Sequence, residues 1–218
     1  RLYRGIGGRG GSDHAHSNAF QDYWLNDVRA ADPARVIGLY LQIRVPGSEG
    51  RAIYKEHNVR ALVVTSDGKY LISAGDDAVI KVWKTSDGKP VAKLEGHEEC
   101  IFSLALSPDG KHLVSGDLFG SVRQWSVGDW KQVRELDAEL LHTRKENFIA
   151  DVGGVRSFAF SSDGKLLAVG GMKEAKSNAF CPGKPTVLVF DWASGKIKTE
   201  LGIKGKSDGP FNALRFLE

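Results

Sequence analysis

Ile101-Phe102-Ser103-Leu104-Ala105-Leu106-Ser107-Pro108-Asp109-Gly110-Lys111 joins a short strand-like run to a tight turn. Asp-Gly favours such a turn because glycine accepts a positive φ without a Cβ clash. The turn recurs as Ser66-Asp67-Gly68-Lys69 and as Ser162-Asp163-Gly164-Lys165, behind the runs Val59–Thr65 and Val155–Ser161. A fourth run, Phe211–Phe216, begins the same way. The turn's aspartate returns after 42 residues, from 67 to 109, and after 54, from 109 to 163.

A period of about 40–45 residues predicts the four-stranded blade of a β-propeller. The repeated run is strand a. Strand b follows the turn, at Tyr70–Ser73, His112–Ser115 and Leu166–Val169. Strand c is rich in β-branched residues and ends in tryptophan, as in Val79-Ile80-Lys81-Val82-Trp83 and Val122-Arg123-Gln124-Trp125. Strand d is expected at Pro90–Leu94, Gln132–Leu136 and Lys196–Leu201. Short strands separated by turn residues at this spacing argue an all-β fold.

With Gly96-His97, Ser-(Pro)-Asp-Gly-Lys and Asp76-Asp77…Ile80-Lys81-Val82-Trp83, residues 50 to 218 resemble the WD-repeat family. The resemblance implies a partial propeller of three full blades with fragments of one or two more. It also implies a buried hydrogen-bonded set in each blade. The first unit offers His57, Ser73, Asp77 and Trp83; the second offers His97, Ser115 and Trp125, with Phe119 where the acid should stand. A Ser–His–Asp set has the composition of a catalytic triad, but here it is read as structural, with Trp83 and Trp125 buried between blades.

Expected boundaries are an irregular arm at 1–35 and a propeller segment at 36–218. Within the segment they are a partial blade at 36–56, blades at 57–96, 97–150 and 151–205, and a truncated blade at 206–218. All six basic residues of the first fifty are arginine, whereas lysines outnumber arginines 17 to 7 afterwards. Gly5-Ile6-Gly7-Gly8-Arg9-Gly10 fits a dinucleotide fingerprint, but no apolar strand precedes it and no helix pattern follows. His14-Ala15-His16 has metal-pair spacing without an evident third ligand. No cofactor and no metal site are expected. Asn18–Ala31 reads as a short amphipathic helix.

The 218 residues have a net charge of +3 and 41% hydrophobic content, enough for a sizeable core and too balanced to demand nucleic acid. No run of eighteen apolar residues points to a membrane span. Cys100 and Cys181 are expected as free thiols, and a cytoplasmic location follows by default. The sole methionine is Met172, and both ends read as cut. An open ring of this kind is expected to be marginally stable or to self-associate through open blade edges.

Two connections are long, Asp137–Gly154 and Gly171–Pro185, and in WD-repeat propellers such d–a and b–c loops share one end face. They place Arg144, Lys145, Phe148, Lys173, Lys176 and Phe180 on one rim. Arg60, Phe102, Arg156 and Asn212 stand second in successive strands a and are expected near the channel mouth. All but Asn212 are the candidate partner contacts, and Arg60 and Arg156 suit an acidic partner segment. The expected function is a non-catalytic protein-interaction scaffold. Alternatives are a regulatory or substrate-docking module of a larger signalling or enzymatic protein, and a propeller enzyme.

Overall fold

The computed structural model describes residues 58–148, 150–177, 183–202 and 210–217. The arm, the partial blade before residue 57, His57, Phe180 and Cys181 lie outside the described residues. Three four-stranded antiparallel sheets follow one another along the chain, and each is a simple meander. The first contains β1 (Val59–Val64), β2 (Tyr70–Gly75), β3 (Ile80–Lys84) and β4 (Pro90–Leu94). The second contains β5 (Ile101–Leu106), β6 (His112–Asp117), β7 (Ser121–Ser126) and β8 (Gln132–Asp137). A small two-stranded ribbon, β9 (His142–Thr143) and β10 (Val152–Gly153), precedes the third sheet. That sheet contains β11 (Ser157–Phe160), β12 (Leu166–Lys173), β13 (Lys184–Asp191) and β14 (Ile197–Gly202). The fold is all-β, with the sheets arranged as blades of a partial propeller.

The repeated turn is built identically three times. A hydroxyl, that of Thr65, Ser107 or Ser161, donates to the turn aspartate and accepts the N–H of the residue that opens strand b, at 3.0, 3.0 and 2.9 Å. The aspartate accepts the following lysine's N–H at 3.0 Å in all three. Gly68, Gly110 and Gly164 all have φ of 69°. The glycine in the phrase is therefore required by the left-handed backbone. The hydroxyl belongs to the last residue of the preceding run.

The core lies between the sheets. Ile72, Ala74, Ile80, Val82 and Leu94 of the first sheet meet Ile101, Leu104, Leu106 and Trp125 of the second. Val114, Val122 and Leu136 of the second meet Val155, Phe158, Phe160, Leu167 and Phe190. Trp125 is buried as expected, but Trp83 is only half-buried. The reason is positional: Trp125 is part of the core between the first two sheets, whereas Trp83 stands in the first sheet of the described series.

The final run pairs with no strand among the described residues, although a strand was expected at Phe211–Phe216. Phe211, Leu214 and Phe216 instead lie on Ala168, Val187 and Val189 of the third sheet. The Phe211 N–H donates to Gly171 O at 3.2 Å, and the Ser157 hydroxyl donates to Phe211 O at 3.2 Å.

Candidate functional site

Arg60, Phe102 and Arg156 come together as a stack. The Arg156 guanidinium carbon lies 3.7 Å from the Phe102 ring centre, and that of Arg60 lies 5.0 Å away. Both distances fall within cation–π range. The local cause is a pair of β-bulges. The β1–β2 register shifts between Val59 and Ala61, and the β5–β6 register shifts between Ile101 and Ser103. The extra residue at each shift is Arg60 or Phe102, and a bulge re-aims the side chain it carries. Arg156 stands one residue before β11.

Each arginine is anchored. Arg60 Nε donates to Asp76 in a close ion pair, and the Asn58 amide donates to the same carboxylate at 2.8 Å. Burial raises the Asp76 carboxyl, but the hydrogen bonds from Arg60 and Asn58 outweigh it and hold the group below its ordinary value. Arg156 Nε donates to Gly153 O at 2.7 Å. Cys100 stands nearby as a free thiol, pushed up by burial and by the charges of Asp76 and Glu99.

The Gly153 contact ties the stack to the two long connections, which pack against each other. Phe148 and Val152 of one share a small core with Met172 and Ala175 of the other. The Ala175 N–H donates to Thr143 Oγ1 at 3.2 Å. His142 Nε2 and Arg144 Nη1 meet the two oxygens of Asp151 at 2.8 and 3.0 Å. The Phe119 ring lies 5.1 Å from the His142 ring.

This arrangement changes the roles of several candidate contacts. Phe148, expected on the rim as a partner contact, is buried, because the neighbouring insertion supplies apolar partners for its ring. Lys145 covers it at 5.3 Å from the ring centre. Lys173 is drawn into an ion pair with Glu200. Arg144, Lys145 and Lys176 are exposed.

The structural set is complete in the second blade. Trp125 Nε1 donates to Ser115 Oγ at 2.8 Å, Ser115 Oγ meets His97 Nε2 at 2.6 Å, and His97 Nδ1 meets Asp117 Oδ2 at 2.7 Å. A proton on Nδ1 lets each member donate to the next. The missing acid is thus supplied by Asp117 at the end of β6, and not from the position of Phe119. The His97 and Asp117 side chains are 0% and 2% exposed, so this triad-like set is closed off from solvent. In the first blade, among the described residues, Trp83 Nε1 donates to Ser73 Oγ at 2.9 Å, and Asp77 pairs with Lys81.

The family model for the WD domain, G-beta repeat, matches residues 49–84, 88–126 and 141–173. Among solved structures, hydrazine synthase of Kuenenia stuttgartiensis is similar, with a TM-score of 0.52 and 19% identity. The similarity covers 67% of this chain and 37% of that one, and it is a likeness of fold. No curated protein matches the chain.

Proposed function

Since the chain belongs to the WD-repeat family, we propose that it is a non-catalytic scaffold that binds another protein through its loop-rich end. WD-repeat domains generally mediate protein–protein contact. The reading rests chiefly on the Arg60–Phe102–Arg156 stack, where two guanidiniums flank one ring at the ends of three adjacent innermost strands. Stacking on an aromatic face and anchoring through Nε orient both guanidiniums before a partner arrives, which lowers the ordering cost of binding. Guanidinium edges suit carboxylates, so the partner segment is acidic. The burial of the His97–Ser115–Asp117 set supports a structural role for it and a scaffold over a hydrolase.

The test is fluorescence anisotropy with a labelled oligoglutamate peptide, using the chain and its Phe102→Ala and Arg156→Glu variants. Binding by the chain that both variants weaken supports the reading. Binding that neither variant changes, or no binding at all, overturns it.

A further inference from the structure

The Phe102 ring stands between two cations that come from neighbouring blades. Its strand, β5, touches β1 on one side and β11 on the other. Arg60 belongs to β1 and Arg156 immediately precedes β11, so the two guanidiniums reach the ring from different sides. The Arg156 guanidinium carbon is 3.7 Å from the ring centre, too close for an approach in the ring plane, so it lies over a face. That of Arg60 is 5.0 Å from the same point. With the ring between them, these distances set the guanidinium carbons roughly 6–9 Å apart.

That gap is held from both sides. Arg60 is tied through Nε to Asp76, and Arg156 is tied through Nε to Gly153 O. The pair therefore keeps its spacing instead of closing on one anion. Two carboxylates at that spacing occur naturally on an extended segment. Residues i and i+2 of a strand share one face and stand about 7 Å apart, while adjacent residues point to opposite faces. On a helix the nearest pair on one face stands only about 5–6 Å apart, at or below the lower end of the gap.

We propose that the stack reads an extended acidic segment with two carboxylates separated by one residue, one carboxylate to each guanidinium, across the Phe102 ring. Phe102 is the spacer that fixes the distance between the two contacts. The residue between the two acids points away from the ring and is free to vary. This inference rests on the reading of the stack as a carboxylate site, and it adds the spacing and the conformation of the segment.

Competition against the labelled oligoglutamate peptide, on the 218-residue chain, provides the test. The competitors are isomeric Gly/Ser peptides of equal length and charge, each with two glutamates. The glutamates are adjacent, separated by one residue, or separated by two. An alanine-rich helical peptide with glutamates four positions apart completes the set. The peptide with one intervening residue is expected to compete about fivefold better than the others, because its second carboxylate then binds within the same molecule. In an Arg60→Gln variant, oligoglutamate is expected to bind more weakly through Arg156, and the isomers to compete equally. Equal competition on the unaltered chain, best competition by the helical peptide, or a spacing preference that survives Arg60→Gln overturns the inference and leaves the carboxylate site standing. A chain that does not bind oligoglutamate overturns both.

Discussion

The indole N–H of Trp125 donates to the Ser115 hydroxyl over 2.8 Å, and both residues are buried. The same hydroxyl serves His97. Ser115→Ala therefore strands two buried polar groups at once, and each stranded group costs about 1–3 kcal/mol. Among the described residues Ser73→Ala strands one, and that one is on the half-buried Trp83. Urea denaturation is expected to give a clearly larger loss for Ser115→Ala. Equal losses would remove the energetic distinction between the two blades.

The tryptophans follow the same asymmetry. Trp125→Ala opens the core between the first two sheets and is expected to cost on the order of 3–5 kcal/mol. Trp83→Ala removes a ring that is already partly in solvent and should cost markedly less. Thermal melts of the two variants side by side check the order.

The strand framework was legible because the Asp-Gly-Lys turn needs its glycine in the left-handed region and its aspartate as a local acceptor. Both requirements leave a mark within four residues. The adjacency of Arg60, Phe102 and Arg156 was legible from their common position in the repeat, but the bulges at Arg60 and Phe102 were not, because a bulge depends on the partner strand's register. Asp117 escaped notice as the acid because the family spacing points to Phe119, and distance in space decides the contact. Phe148 read as a partner contact on the rim because its own partners, Met172 and Ala175, come from another insertion.

Acid should weaken the fold through the three turns. Hydrogen bonds from the Thr65 and Ser161 hydroxyls, then from the Lys69 and Lys165 backbone, hold Asp67 and Asp163 down to about 2. The Ser107 hydroxyl and Lys111 N–H lower Asp109 in the same way. A carboxyl depressed in the folded state contributes stability above its unfolded value, and that contribution fades as pH falls through the folded value. The melting temperature is therefore expected to fall between about pH 4 and pH 2. Asp163→Asn should make that fall shallower. A melting temperature that is flat across this range, or an Asp163→Asn curve parallel to that of the unaltered chain, would exclude the turns as the cause.

The insertion core offers a way to weaken the loop-rich end without touching the stack. Phe148 is held by Val152, Met172 and Ala175, outside the two large inter-sheet cores. Phe148→Ala should therefore loosen the ribbon of β9 and β10 while leaving global melting nearly unchanged, since local openings need not track global unfolding. Arg144 and Lys145 are exposed beside it and offer trypsin two cleavage points. An opening made easier by about 1.4 kcal/mol would speed native-state cleavage there about tenfold. Gly153 of the ribbon holds Arg156 through its carbonyl, so the same variant should also weaken binding of the oligoglutamate probe. Unchanged cleavage at Arg144 and Lys145 would show that Phe148 does not hold the ribbon. Faster cleavage with undiminished peptide binding would show that the ribbon does not position Arg156.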